Sequence, residues 1–461
     1  MRDGKLDFRA SATAQKLRGA TSETRVWDVT NPLEIKEMDK AVSGDAVIWT
    51  NAYTGRREYT AWDENGTFPS PTYEGMVANQ NLHALEVPDM VIFTIGQWHA
   101  QAERIADLHR NSIDSLEVLV INQDEVFNEF SSGTRDVNSF RKMLKMFWDR
   151  GIDGAGGHKL KYALFMGRGS FDNRQLTPEV QALDFPMMPT WQSEGGFSDN
   201  DSYSTDDIFA FLSDGSGSNI SADKLNIAVG RMPVRSVDEA KAVVDKLYKY
   251  VNSSLSDSWK NQMLLIADDD DNGAHMLQTE SLYNEMLKSP SGGQFFYNKL
   301  FLDSYVKTNN QYPEAHEQMM RMLREGVMFL SYIGHANTSS WSHEGLLTYE
   351  DICNLYYKRI PVVYAATCEF MRWDAVAVSG GEIMFKTDNG GVIAMISACR
   401  PVFIADNGTL TNYLGSKLLE RDKDGNFMPI GEILRRAKNV FAETNKSNSN
   451  KLRYALMGDP A

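Results

Sequence analysis

The feature that most constrains this chain is a series of apolar runs that do not alternate. From Asp89 onward DMVIFTIG, LEVLVINQ, KYALFMG, LNIAVGRMP, QMLLIAD, GVMFLSYIGH, IPVVYAATC and GGVIAMISA recur along the sequence. A strand with one face in water alternates apolar and polar residues, whereas a run that is apolar at every position must be covered on both faces. Segments of helical composition, such as HAQAERIADLHR and VNSFRKMLKMFWD, separate the runs. This combination predicts an α/β architecture on a buried parallel sheet. In SVDEAKAVVDKLYKYV, Val237, Ala240, Val244, Leu247 and Val251 share one helical face, and Ser236 is placed to cap the first turn.

Residues 1–88 have another character. RVWDV and AVIWTNAY alternate, and REYTAW follows a short TG turn, which predicts an antiparallel hairpin within a small β-rich region. Beyond it, DMVIFTIG with its helix resembles QMLLIADDDD followed by MLQTESLYNEML. The similarity predicts two α/β subdomains, 89–255 and 256–461. A chain of 461 residues is long enough for more than one core.

Charge and cysteine content narrow the function. A formal net charge of −15 repels polyanions, which argues against nucleic acid as a partner. No apolar run approaches the ~20 residues of a membrane span. The N-terminus lacks the apolar core of a signal peptide, and the chain stops at MGDPA, so it reads as a piece of a longer exported protein. Cys353, Cys368 and Cys399 form neither a disulfide framework nor a CxxC pair. Cys353, in the helical DICNLYYK, and Cys399, after GGVIAMISA, read as packing residues.

In open parallel sheets functional residues gather beyond the carboxyl ends of the strands. GVMFLSYIG ends on His335 and IPVVYAAT ends on Cys368. If those strands are parallel neighbours in similar register, both side chains reach one edge of the sheet. An imidazole there can convert the thiol to the thiolate that nucleophilic chemistry needs. The backbone N–H groups of Ala336 and Cys368 could then face a substrate carbonyl as an oxyanion hole. On pattern alone, a cysteine after an apolar strand is more often a core residue, and that reading stays open.

YIGHANTSSW, VVYAATCEFMRWD, GGEIMF and GGVIAMISACRPVF together resemble the gingipain-type C25 cysteine peptidases. The resemblance extends upstream through ADLHR, VFNEFSSGTRD, SFDNR, YSTDDIFAFL, AVGRMPV and ADDDDNGAHM, and downstream to LMGDP; the N-terminal WDVTNP and VANQNLHAL fit it as well. It implies a caspase-like parallel-sheet domain in two subdomains, with Cys368 as nucleophile and His335 as base. The family often has glycine after the histidine; Ala336 stands there in this chain and still carries an N–H. By position, the acid that orients the histidine falls on Asp206, with Asp207 beside it. Trp341, Glu369, Trp373 and Asp374 flank the pair and could shape a substrate pocket.

The resemblance also implies calcium, for which Asp268, Asp270 and Asp271 offer hard oxygen ligands, with no other cofactor required. His275, in the same loop, reads as a hydrogen-bonding residue. Members of this family that act as signal peptidases and sortases of type IX secretion share the motifs. They imply export to the outer membrane and cell surface of a Gram-negative bacterium. They also imply secreted substrates with C-terminal signal domains, other secretion components as partners and a lipopolysaccharide-type acceptor. A general gingipain-like protease and a catalytically silent scaffold are the competing readings.

Overall fold

Alternation in the first part of the chain produces short antiparallel strands: β1 (Lys5–Ala10), β2 (Ala14–Arg18), β3 (Thr24–Asp28), β4 (Lys36–Glu37), β5 (Ala41–Ser43), β6 (Ala46–Thr50) and β7 (Arg57–Asp63). The computed structural model describes residues 1–461 except 2–3, 54, 74, 113–114, 196–197, 199 and 255–256. Two units emerge, Met1–Asn79 and Gln80–Ala461. In the first, one sheet has the order β1-β7-β3-β4 and a second the order β2-β6-β5.

The predicted hairpin of AVIWT with REYTAW does not form, because β6 and β7 belong to different sheets. Trp49 and Tyr59, one from each strand, are both buried and meet edge-to-face with ring centroids 5.6 Å apart. Asn51 Nδ2 donates to the Tyr59 hydroxyl at 2.8 Å. The two rings thus share one buried cluster although their strands lie in different sheets.

The unit boundary lies before residue 88. Leu82 is part of the large core, and Glu129 accepts the backbone N–H groups of Leu82 at 2.7 Å and His83 at 2.8 Å. Burial opposes ionisation of Glu129, but these donors prevail and hold its carboxyl at about 2. The expected junction at 255/256 falls outside the described residues.

In the second unit each apolar run becomes a strand: β8 (Met90–Thr94), β9 (Val118–Asn122), β10 (Tyr162–Met166), β13 (Ala228–Met232), β14 (Gln262–Ala267), β16 (Phe329–Ile333), β17 (Val362–Ala366) and β18 (Ala394–Ala398). Two two-residue strands, β11 (Trp191–Gln192) and β12 (Ser204–Thr205), pair apart from them. The main sheet is completed by β15 (Phe296–Phe301) and β19 (Tyr454–Met457), giving the order β15-β14-β16-β17-β18-β19-β13-β10-β8-β9. This is the caspase-like α/β architecture expected. β15 is an edge strand with a mixed polar pattern and β19 has only four residues, so neither stands out as an apolar run.

β15 through β18 run parallel, β19 is antiparallel to β18, and β19 meets β13 in one parallel bridge at Met457 and Arg231. β19 is therefore the seam between two parallel halves that run in opposite directions. Helix Val237–Val251 begins as expected, with Ser236 Oγ accepting the Glu239 N–H at 3.2 Å. Its buried face is rotated from the expected one: Ala240, Val243 and Val244 are inside while Val237 and Val251 are exposed. Among the described residues no helix is long and apolar enough to cross a membrane.

A buried ion pair anchors β13. Arg231 Nε lies 2.6 Å from Asp206 Oδ2 and its Nη2 lies 2.9 Å from Asp206 Oδ1, with both side chains almost wholly buried. Thr190 Oγ1 donates to the same carboxylate at 2.9 Å. Removing one partner leaves an uncompensated buried charge, so Asp206→Asn should destabilise this unit by about 3–5 kcal/mol. Urea unfolding followed by tryptophan fluorescence measures it; a loss below about 1 kcal/mol, the range of an exposed pair, would contradict the assignment.

Candidate active site

β16 and β17 are parallel neighbours without slip: Ile333 stands opposite Ala366, and the Gly334 N–H donates to the Ala366 carbonyl at 3.4 Å. His335 and Cys368 each follow two residues after those paired positions, so they leave the sheet at the same level. On the other side of β16, Ala267 of β14 stands opposite Ile333, which brings the Asp268–Asn272 loop to the same edge. Gly334 is required by close approach, since a Cβ there would lie 2.3 Å from Asp268 Cβ.

His335 is held at both its backbone and its ring. Its N–H donates to Asp268 Oδ2 at 2.8 Å, and the Tyr332 hydroxyl lies 2.5 Å from its carbonyl oxygen and 3.2 Å from Asp268 Oδ2. Burial pushes the Asp268 carboxyl up to about 7, against the pull of the His335 N–H. The ring Nε2 sits 2.7 Å from Asp271 Oδ2. His343 stacks on the ring with centroids 4.9 Å apart, and His275 meets it edge-on at 5.2 Å. Partial burial raises the Asp271 carboxyl, but the two imidazoles outweigh it and hold the group below the ordinary aspartate value. His275 is shifted the other way: burial first, then the charge of His335, disfavours its protonated form.

Cys368 is half-buried, and its Sγ is turned toward the segment after β18. The Val402 N–H lies 3.4 Å from Sγ, and the thiol donates to the Val402 carbonyl at 3.8 Å. Burial raises the thiol above its ordinary value and the Glu369 carboxylate adds to this, opposed by the Val402 N–H and Arg453. No hydrogen bond joins Cys368 to His335 in this arrangement; the thiol faces Val402 and the imidazole faces Asp271. The N–H groups of Ala336 and Cys368 donate to no other described residue and remain available to an incoming oxygen. In Ala336 this follows from its place in a narrow turn, where the flanking bonds run from Ser342 N–H to the His335 carbonyl and from Asn337 N–H to the Ser340 carbonyl.

Several expected site residues lie elsewhere. Asp206 does not touch His335, because Arg231 and Thr190 occupy both its oxygens; the carboxylate on the imidazole is that of Asp271. Asp207 pairs with Lys438 at 2.7 Å. Trp341 and Trp373 are each 1% exposed and do not line a surface pocket. Trp341 stacks flat on Tyr332 at 4.5 Å, and Trp373 takes the Arg231 guanidinium over its ring at 4.5 Å. Asp374 is buried against Arg400 Nη2 at 2.6 Å. Glu369 does remain beside the thiol, in a left-handed conformation (φ 53°) and paired with Arg372 at 2.7 Å. Cys399 is buried, with burial pushing its thiol up to about 12, whereas Cys353 is exposed rather than packed, since its short helix turns that position outward.

The expected calcium ligands also divide. Asp271 gathers with His275 and His335, Asp268 gathers with Asp269 and Glu344, and Asp270 joins neither group. The second group is wholly buried. Lys307 Nζ bridges Asp269 Oδ2 at 3.1 Å and Glu344 Oε1 at 2.8 Å, the Tyr312 hydroxyl donates to Asp269 at 2.8 Å, and Asp269 Oδ1 has no partner. Sequence reasoning missed Asp271 as the partner of His335, and Glu344 altogether. The spacing of Asp271 and His275, one helical turn apart, was the available signal.

Comparison with known proteins agrees with this fold. The family model of peptidase family C25 matches residues 83–461. No curated protein sequence matches the chain. Among solved structures, the Arg-specific cysteine proteinase gingipain R (RgpB) superposes with a TM-score of 0.62 at 13% identity, over 83% of this chain and 79% of that one. The complex of RgpB pro- and mature domains from Porphyromonas gingivalis gives 0.61 at 14% identity, over 80% and 78%. Dimeric latent PorU from Porphyromonas gingivalis gives 0.54 at 25% identity, covering 97% of this chain, which spans 37% of the length of that PorU.

The resting thiol should be a poor nucleophile at neutral pH, since burial and Glu369 favour its protonated form. In a Cys353→Ser background, iodoacetamide labelling of Cys368 should reach half its maximal rate above the ordinary thiol range, and Glu369→Gln should shift that midpoint downward. A midpoint below about 7 would mean that a preformed thiolate is present.

Proposed function

Because the chain belongs to peptidase family C25, we propose that this cysteine peptidase is an endopeptidase and transpeptidase with Cys368 as nucleophile and His335 as base. The reading is supported by one observation above all: the slip-free pairing of β16 and β17 sets both residues on one edge, each beside an uncommitted backbone N–H. In catalysis the imidazole leaves Asp271 and turns to Sγ. It takes the thiol proton as sulfur adds to the scissile carbonyl. The Ala336 and Cys368 N–H groups stabilise the oxyanion, and His335 gives the proton to the departing amine. The resulting thioester is resolved by water, giving an acid, or by an amine, giving a new amide.

The family resemblance extends the reading to cargo. The substrates are secreted proteins bearing C-terminal signal domains, and the amine belongs to a lipopolysaccharide-type acceptor. Work takes place at the outer surface of a Gram-negative cell, with other type IX secretion components. The 25% identity to PorU over 97% of this chain supports that direction. Because the thiol and imidazole rest on separate partners, the protein is latent until something draws His335 from Asp271.

Cleavage of a cargo C-terminal segment should therefore be slow, should divert to an amide when an amine is supplied, and should vanish in Cys368→Ala, where loss of the nucleophile costs orders of magnitude. Mass spectrometry of the products reads all three. Rapid hydrolysis of unrelated peptides without an amine adduct would identify a general protease. Absence of any turnover, with unchanged binding of cargo, would identify a scaffold.

Calcium also belongs to this reading, held by Asp268, Asp269 and Glu344. Three buried carboxylates and the unpartnered Asp269 Oδ1 suit a hard cation, which would neutralise charge that Lys307 matches only in part. Millimolar calcium should raise the melting temperature and a calcium-selective chelator should lower it, by mass action on the folded state. Identical melting curves would leave these carboxylates to Lys307, Tyr312, Tyr332 and the His335 N–H.

A further inference from the structure

The three groups that meet at Asp271 have more donor character than a hydrogen-bonded pair needs. Asp271 Oδ2 lies 2.7 Å from His335 Nε2 and 3.1 Å from His275 Nε2, and the donor atoms of all three residues lie within 4.8 Å of one another. Tetrahedral zinc, with bonds of about 2.0–2.2 Å, separates its ligand atoms by roughly 3.3 Å, so small adjustments admit an ion.

His275 is the independent observation. It is 5% exposed, and neither of its ring nitrogens makes a hydrogen bond; its approach to Asp271 has the distance of one but not the geometry. A buried imidazole without a hydrogen bond is costly, and a bound ion removes that cost by taking the Nε2 lone pair. Fold and sequence both fix the arrangement. His275 opens helix Ala274–Lys288, Asp271 precedes it by one turn, and β14 pairs with the strand that ends at His335.

We propose that Asp271, His275 and His335 form an inhibitory site for a divalent transition metal, with zinc the best-matched ion. Two imidazoles and one carboxylate suit a borderline ion, unlike the oxygen-only set at Asp268, Asp269 and Glu344. The inhibitory consequence rests on His335 as the catalytic base; the binding does not. When Nε2 gives its lone pair to a metal, the remaining ring proton sits on Nδ1. Neither nitrogen can then accept the Cys368 proton, and the ring is held on Asp271. The ion thus locks the latent arrangement.

Zinc also poisons thiols directly, so binding is measured first on full-length protein carrying Cys353→Ser and Cys368→Ala. After treatment with a chelator and its removal, titration calorimetry with zinc chloride should show one equivalent bound, and cobalt(II) should give the visible spectrum of a tetrahedral nitrogen–oxygen site. His275→Gln and Asp271→Asn should each weaken zinc binding by more than the roughly 10–100-fold that loss of a supporting partner costs. Melting curves verify that the variants are folded. Binding that disappears with Cys368→Ala, or that survives both ligand substitutions unchanged, overturns the site. In protein retaining Cys368, zinc should suppress cargo cleavage reversibly, and His275→Gln should shift the inhibitory concentration upward by a similar factor. If no cleavage is found at all, the peptidase reading fails while the calorimetry still decides the metal.

Discussion

The site depends on the absence of slip in three adjacent parallel strands. Ala267, Ile333 and Ala366 stand level across β14, β16 and β17, so the residues that follow leave the sheet together. A shift of one residue in either ladder would turn a side chain to the opposite face and separate the imidazole from the thiol or from Asp271. Register here is set by burial: every position of β16 is inside, and a slipped strand would have to place Ser331, which is fully buried, where Leu330 or Tyr332 now packs. The precision of the chemistry is inherited from the packing of the sheet.

Much of this was legible in the sequence, because a strand buried on both faces writes itself as an unbroken apolar run. His335 and Cys368 were found as the ends of two such runs, and the family motifs point to the same positions. What escaped depended on contacts between segments far apart in sequence. Asp206 and Asp271 are both acidic loop residues by pattern; only the guanidinium of Arg231 distinguishes the structural one from the one on the histidine. Trp341 and Trp373 look like pocket walls when read beside the dyad. They are core residues because Tyr332 and Arg231 come to them from other strands. The pairing of β6 and β7 failed for a similar reason, since the interior contact of Trp49 and Tyr59 decides between one sheet and two.

Electrostatics around the dyad favours rest over reaction. The thiol is pushed toward its protonated form by burial and by Glu369, while the imidazole rests on Asp271 and sulfur rests on Val402. An ion pair of thiolate and imidazolium would need both groups to change partners at once. The backbone anchors of His335, to Asp268 and Tyr332, survive such a turn, so the ring has one hydrogen bond to give up, that to Asp271.

That freedom is what makes base and ligand alternative uses of one residue. A general base needs a neutral imidazole with an accessible lone pair, and a metal needs the same thing. Burial of His275 disfavours its protonated form and sets a second imidazole beside the first, a costly placement if its only task were to steady Asp271, which His335 already contacts at 2.7 Å. A carboxylate shared by two such rings can release His335 toward sulfur only while no ion occupies the space between them. The loop after β14 therefore sets the balance between the two uses. It carries Asp271 in a left-handed conformation (φ 47°) that aims the carboxylate at both rings, and any movement of that loop changes the hold on His335 and the fit for an ion together.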